Sequence, residues 1–573
     1  MLRVGMGIGA LMALLLVLGG SAAAHPERHA FFPDGSTGAV PKYRGTADQV
    51  LTVCKKNSKR LIKRSFKGKS RKLTKMRKLR LRQLKKCRFR HIQAAVDKAR
   101  NGAIIRIMPG VYKEEPSRRN PEPDPRCAGD YDEIGGDILA SGGFGQKGAK
   151  VANFEYQRKC PNAQNLIAII GDSDDPDRVC DVKCDIQIQG MGRRRTDVKI
   201  SGRRTKLNVI RADRADGIHL RNFTVEYSDF NNIYILETNG FAMHRIKSMY
   251  SREYGFLSFT SDHGLYDRLE ALGSGDSGIY PGSGPEGHCA RYGIEIRRVN
   301  SHHNTIGYSG TAGNGVWMHD SKLHHNSTGM TTDSFASGHP GMPQDCAKWE
   351  NNEIYSNNED YFNDERDAYC KNTPIPERDP KIVCPTFQVP VGTGIGIFGG
   401  NGDIARNNYI YDNWRDGIKL LYVPAAFRGE PEKGTDTSFD NTFANNRMGV
   451  RPDGKPDANG NDFWWDEQGK GNCWGGNSSH SGLQPSSNVI IGLPACPGSQ
   501  TMRPGNQAKL ASQATCATWD PMENPDPPGC DWFVRPPEPP NDSSGTNGSA
   551  PGGGRGAEPG SGGSGTPTVP SLP

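Results

Sequence analysis

The chain has 573 residues, room for one large solenoid or two to three ordinary domains, and 72 Lys+Arg against 63 Asp+Glu give it a formal charge of +9. The charge is not spread evenly: Lys55–Arg90 holds nineteen Lys+Arg and no acid, so the rest of the chain carries −10 (+9 less 19). This excludes a uniformly basic nucleic-acid-binding protein, and no segment beyond the N-terminal leader is long and apolar enough to cross a membrane.

In chain order, the leader MLRVGMGIGALMALLLVLGGSAAAHP has Arg3, an apolar core through Leu18 and the small-residue exit Ala22-Ala23-Ala24. Residues 1–24 read as a secretory signal cleaved after Ala24, which puts the mature chain outside the cell or at its wall. A membrane anchor is the weaker reading, because the apolar stretch is short and broken by glycines. All fourteen cysteines follow the leader, an even number that suits disulfides in an oxidising compartment. Sequence neighbours suggest Cys54/Cys87, Cys127/Cys160, Cys180/Cys184, Cys370/Cys384, Cys473/Cys496 and Cys516/Cys530, which leaves Cys289 and Cys346. A metal half-site at Cys180-Asp-Val-Lys-Cys184 has no second Cys/His pair near it in sequence.

Residues 25–90 form a polar leader and a basic segment. Leu61, Ile62 and Phe66, then Leu73, Met76 and Leu84, give two short helical stripes broken at Lys67-Gly68-Lys69-Ser70. Two readings stay open: an electrostatic tether for an anionic polymer, or a solvated cap held by Cys54–Cys87. His91–Glu114 follows as HIQAAVDKARNGAIIRIMPGVYKE. Ile92, Ala95, Val96 and Ala99 share a helical face, Asn101-Gly102 ends the helix, and Ile104–Ile107 starts a strand.

From Gly217 to Asn363 a repeat governs the chain. A glycine before an apolar residue recurs at Gly217, Gly240, Gly264, Gly293 and Gly315, in steps of 23, 24, 29 and 22. A second unit recurs at Asn232, Gly255, Gly278, Gly307 and Gly329, in steps of 23, 23, 29 and 22. The shared 29-residue step marks one insertion. Short strands at this period, with Gly and Asn at the corners, predict stacked coils of three strands, since one coil alone cannot bury its inner residues. Alternation in Ile233-Tyr234-Ile235-Leu236 puts the isoleucines inside and Tyr234 and Leu236 outside. A β-sandwich of hairpins fits less well, because tight-turn dipeptides are few.

The IQAAVD helix, glycine turn, apolar strand and Pro109-Gly110-Val111-Tyr112 resemble the opening of right-handed parallel β-helix proteins of the pectin-lyase-like superfamily. The resemblance runs from about His91 to about Trp474. It implies an all-β solenoid over residues 91–475, with an N-terminal capping helix and the basic helical segment before it. It leaves function open, because this scaffold carries many activities. A disulfide-containing extension follows at 476–534 and a Pro/Gly/Ser-rich tail at 535–573.

Insertions Pro281–Arg291, Asp333–Lys348 and Asn363–Pro390 are expected to enlarge one corner into a wall beside the coils. The wall carries Glu286, His288, Arg291, Asp333, His339, Asp345, Asp364, Glu365, Arg366 and Asp367. Beside it, Tyr234, Leu236, Leu257, Phe259 and Tyr280 are expected to form an exposed strip on which sugar rings stack, unless neighbouring loops cover them. Ionisable groups along a groove suit β-elimination or C5-epimerisation of uronic acids, which needs a base for the C5 proton and a cation or Arg for the carboxylate. The expected catalytic residues are His288, Arg291, Asp333 and Asp345. The expected substrate contacts are Tyr234, Phe259, Tyr280, Glu286 and His339, and the expected ligands for calcium are Asp333, Asp345 and Asp364.

Known motifs of the superfamily mostly fail. Val316-Trp317-Met318-His319-Asp320 resembles the V-W-x-D-H strand of pectate lyases with His and Asp exchanged. Arg245-Ile246-Lys247 resembles the R-I-K of polygalacturonases without the motifs that should precede it, and the D-P-H-E signature of mannuronan epimerases is absent. The sequence therefore points to a monomeric secreted β-helix protein that acts on or binds an acidic polysaccharide, as a lyase or epimerase if it is an enzyme. The competing classes are a non-catalytic adhesin or wall-associated solenoid, and a glycoside hydrolase. Nucleic acid is the less favoured partner in that compartment.

Overall fold

The computed structural model describes residues 28, 30–114, 124–133, 150–171, 180–335, 339–386, 389–479, 492–518 and 532–541. The expected signal, most of the tail and the Cys516/Cys530 pair lie outside the described residues or side chains.

Three parallel sheets run the length of the molecule. Twelve strands from Val50–Val53 to Cys473–Gly475 form sheet A, eleven from Gly110–Tyr112 to Ser478–Ser479 form sheet B, and ten from Asn165–Ile170 to Asn461–Trp465 form sheet C. The chain visits A, B and C in turn and then starts the next coil: Ile218–Arg221, Thr224–Glu226 and Asn231–Leu236 lead to Asn239–His244. This is a right-handed parallel β-helix. The coils begin at Val50, whose strand pairs with Ile104–Ile107, so the first rung precedes His91.

In-register pairing turns each inward position into a column. In sheet A one column reads Leu220, Met243, Tyr266, Ile296, Met318, Trp349, Ala405, Phe443 and Trp474. In the next column Gly264 lies between Phe241 and Ile294, where a Cβ would come 2.3 Å from the Phe241 ring and 2.6 Å from Ile294. The glycine of the repeat makes room there for its large neighbour. In sheet C, Ile233 and Ile235 join the core and Tyr234 and Leu236 face outward, as alternation predicts.

Asparagine takes left-handed corner positions as expected, and arginine and aspartate take them too. The left-handed position between A and B is taken by Asn222, Arg245, Arg268, Arg298, Asp320, Asn351, Asn407 and Asn445. Side chains one residue further on stack inside. Between B and C, Asn304, Asn326, Asn357, Asn413 and Asn459 form a buried ladder, each Nδ2 donating to the next Oδ1 at 2.9–3.1 Å. Asn352, Asn408, Asn446 and Asn477 form another between A and B. These amides satisfy polar groups that a tight corner would leave buried and unpaired.

The capping helix is Ile92–Lys98, with Ile92, Ala95 and Val96 in the core. Gln93 exchanges hydrogen bonds with the Ala168 backbone at 2.7 and 3.1 Å, covering the outermost strand of sheet C. The basic segment is a helical hairpin, Ser58–Ser65 and Arg71–Leu84. Its Ile62, Phe66, Leu73 and Met76 pack on Met108 and Met191 at the first coils, and Cys54–Cys87 closes it. Six of the expected disulfides are formed, including Cys289–Cys346.

The insertions occupy two corners, not one. Residues 283–293 and 334–347 lie between sheets C and A, tied together by Cys289–Cys346. The segment holding Asn363–Pro390 falls between Glu353–Tyr355 of sheet B and Thr393–Phe398 of sheet C, so it does not extend that wall. Instead 422–441 enlarges the C–A corner further along.

Candidate functional site

The outward face of sheet C is covered at both ends. Over the early coils, residues 28 and 30–40 lie as a strap. Ala30 sits among Tyr234, Leu236, Tyr254, Leu257, Phe259 and Tyr280, which form a closed cluster. Arg28 is buried and reaches Asp213 at 2.8 and 3.0 Å and also Glu237. The Phe31 N–H donates to Glu237 at 3.1 Å. Asn239 Nδ2 donates to the carbonyls of Asp34 and Thr37 at 2.9 and 3.2 Å. Over the later coils, Trp532 and Phe533 cover Phe398, Leu421 and Trp464. The expected open strip is therefore closed: Tyr234, Phe259 and Tyr280 are 1–3 % exposed. The cause is a covering segment some two hundred residues away in sequence, which local alternation cannot reveal.

The wall residues separate into three places. Glu286, His288 and Asp345 share the disulfide-braced loops. Burial, then the charge of Glu286, pushes the Asp345 carboxyl up to about 6, with His288 opposing. Behind them the fully buried Asp403 accepts from Gln344 Nε2 and the Ala347 N–H at 2.9 and 2.8 Å, and burial raises it to about 8. Asp333 instead accepts from Thr311 Oγ1 at 2.7 Å and from the Phe335 N–H at 3.2 Å. His339 approaches the Tyr280 hydroxyl at 3.4 Å and meets the Phe259 ring edge-on. Asp364 opens the helix Asp364–Asn372 at the other corner. The expected calcium set Asp333, Asp345 and Asp364 is thus not brought together. Among the described residues, Asp124, Cys127 and Cys160 are the one close group of three such donors, and both cysteines are spent in a disulfide.

Arg291 does not have the character of a base. It grips Asp262 with both terminal nitrogens, at 2.9 and 2.5 Å, and this hydrogen bonding raises its pKa. A guanidinium held charged cannot take up a proton.

A second site was missed in the sequence. Between the basic hairpin, the 190–195 turn and the A–B corner lies a cavity of about 280 Å³ lined by Tyr43, Arg80, Arg193, Arg221, Asn222 and Arg245, among others. Asn222 Nδ2 donates to the carbonyls of Gly190 and Gly192 at 2.8 and 3.0 Å and fixes its floor. Tyr43 stands under the Arg221 guanidinium at 4.0 Å. Burial pushes Arg80 down, with Tyr43 opposing and Arg106 and Arg221 adding repulsion. Arg80 Nε is buried with no hydrogen-bond partner. Among the described residues no carboxylate pairs with Arg80, Arg193, Arg221 or Arg245, although arginine elsewhere in this protein is commonly paired. Like charges gathered without counter-ions make a cavity suited to an anion. The available signal was the arginine ending one A strand, Arg221, and the arginines at the corner after the next three, Arg245, Arg268 and Arg298, together with Arg193-Arg194-Arg195.

No family model and no curated protein matches the sequence. Solved structures do. The A-module of a mannuronan C-5 epimerase of Azotobacter vinelandii aligns at 10% identity and a TM-score of 0.38, over 69% of this chain and 91% of that one. The pectate lyase Pel9A aligns at 11% and 0.32, over 79% and 82%. A tailspike of the E. coli bacteriophage HK620, in complex with a pentasaccharide, aligns at 8% and 0.37, over 70% and 60%. The architecture here is a right-handed parallel β-helix. The assignment rests on this chain's own strand pairing.

Proposed function

We propose that the protein binds an acidic extracellular polysaccharide, and that the arginine cavity takes its carboxylate or sulfate groups. The cavity carries the reading: four unpaired guanidiniums converge beside an aromatic ring, the chemistry that holds a charged sugar. The six disulfides favour an oxidising, extracellular setting, in keeping with the expected signal. The basic hairpin supplies Arg80, so it is a wall of the site as well as a cap. Calorimetric titration with oligogalacturonate and with oligoalginate tests this. The Arg221→Ala/Arg245→Ala protein should bind at least tenfold more weakly and with a shallower salt dependence. Equal binding by parent and variant, or none by the parent, would reject it.

A lyase or epimerase reading is favoured by one observation, the Asp345 carboxyl raised beside Glu286 and His288. In that reading Asp345 handles the proton, with Glu286 and His288 beside it. Incubation with polyuronates, with and without calcium, followed by absorbance of unsaturated products and exchange of the C5 proton, decides it. Neither signal means no such activity.

A further inference from the structure

The arginine cavity lies at one end of a longer row of charge. Arg221, Asn222 and Arg245, which line it, belong to the A–B corner of two successive coils. The next coil puts Arg268 at the same corner position, with φ 56° against 54° for Arg245. Register fixes the match: His244 pairs with Asp267, and the Arg245 N–H donates to the Asp267 carbonyl at 2.9 Å. The two side chains therefore start from backbone one coil apart, about 4.8 Å, and both are exposed. Arg195, from the turn beside the cavity, fastens this corner. It donates to the carbonyls of Arg268 and Ile246 at 3.1 and 3.4 Å and pairs with Glu270.

The row has uncompensated charge, and it has an end. Among the described residues no carboxylate pairs with Arg245 or Arg268. The acids flanking Arg268 in sequence are spent elsewhere. Asp267 is held by Arg298 at 2.6 Å and His244 at 2.7 Å, and Glu270 by Lys247 at 2.7 Å as well as by Arg195. Arg298, at the corner of the following coil, is thereby neutralised. The coil after that places Asp320 at the corner, with its side chain 57% exposed. Unpaired positive charge thus runs over Arg221, Arg245 and Arg268, one to a coil, and further on the sign reverses.

We propose that this row holds a linear polyuronate along the solenoid axis, one carboxylate to each coil, and so selects chains that are charged on every sugar. The inference rests on the polysaccharide reading of the cavity and adds a direction and a spacing to it. A sugar unit of an extended 1,4-linked chain is close in length to the rise of one coil, about 4.8 Å. Successive carboxylates therefore meet successive guanidiniums, each able to grip a carboxylate with two N–H groups. The long, exposed side chains of Arg245 and Arg268 follow the turn from one sugar to the next. A chain with carboxylates on alternate sugars passes one arginine of the row without a partner for it.

The test is calorimetric titration of the full chain at low salt with digalacturonate, trigalacturonate and a hyaluronate hexasaccharide, which carries three carboxylates on alternate sugars. The parent should bind trigalacturonate about three- to fivefold more tightly than digalacturonate, the gain that one exposed ion pair supplies. It should bind the hyaluronate at least threefold more weakly than trigalacturonate. Arg268→Asn places at this corner the residue that Asn222 and Asn351 already supply there. That protein, checked for native circular dichroism, should bind trigalacturonate no better than digalacturonate. Equal affinity of the parent for the two galacturonates, or for trigalacturonate and the hyaluronate, overturns the proposal whether or not the variant folds. A folded variant that keeps the gain overturns it too. In each of these cases the cavity still binds uronate, whereas a parent that binds no oligomer rejects the cavity reading and this one with it.

Discussion

Asp262 is fully buried, and Arg291 reaches down from an inserted loop to hold both of its oxygens. The loop is thus fastened to the sheet by a bidentate ion pair, and Arg291 is a fastening before it is anything else. Arg291→Ala leaves the carboxylate with the His263 N–H, 2.6 Å away, as its remaining partner among these contacts. A loss of about 1.5–3 kcal/mol is expected in urea unfolding, the range for a hydrogen bond to a charged group, since Arg291 is itself partly exposed. Arg291→Lys should recover part of it. Polyuronate affinity should stay at the parent's value in both proteins.

The asparagine ladder makes a sharper demand. Asn357 donates to Asn413 at 3.0 Å and accepts from both the backbone and the side chain of Asn326 at 3.3 and 2.9 Å. Asn357→Ala orphans groups in the coils on each side, at about 1–3 kcal/mol for each buried group left unpaired. Asn357→Asp keeps the acceptor but buries a charge and should fare no better. Chemical denaturation reads both, and a midpoint near the parent's would show that water fills the gap.

Residues 28–40 can be removed. The deletion should uncover Tyr234, Leu257, Phe259 and Tyr280 and raise the fluorescence of the dye ANS several-fold, without loss of far-ultraviolet circular dichroism. It also strips Arg28 from Asp213 and Glu237, although Arg211 and Arg214 still pair with them. Parental fluorescence would mean that the strap is not what shields this face.

Asp403 gives a pH dependence of known sign. Its carboxyl stays protonated in the fold up to about 8, against an ordinary 3.8. Between those values the unfolded chain ionises and the folded one does not, so this group's contribution is complete below about pH 4 and is lost as pH rises to about 8. Unfolding midpoints taken at intervals across the window should fall. Asp403→Asn, which keeps the acceptor for Gln344 and Ala347, should flatten the decline. A parallel slope in the variant would assign it to other groups.

The paired glycine series showed the coils and the 29-residue step, because column packing imposes a period that one chain cannot hide. Alternation oriented Tyr234 and Leu236 correctly. What covers them was not legible, since Ala30 meets them only after the fold brings the strap back. Asp364 was placed on the wrong corner for a related reason. The strand preceding its insertion, Glu353–Tyr355, is a three-residue member of sheet B. Strands that short leave little signal once an insertion breaks the period. The arginine cavity draws on the basic hairpin, a turn and the A–B corner, and only their stacking unites them.

The strap has a consequence for the order of events in synthesis. Arg28 leaves the ribosome long before Glu237, yet the two end in contact, 209 positions apart. Coils can add one upon another as they emerge, each resting on its predecessor. Residues 30–40 must wait unattached until the coils up to Tyr280 exist to receive them. A segment made early thus finds its place only after partners made much later.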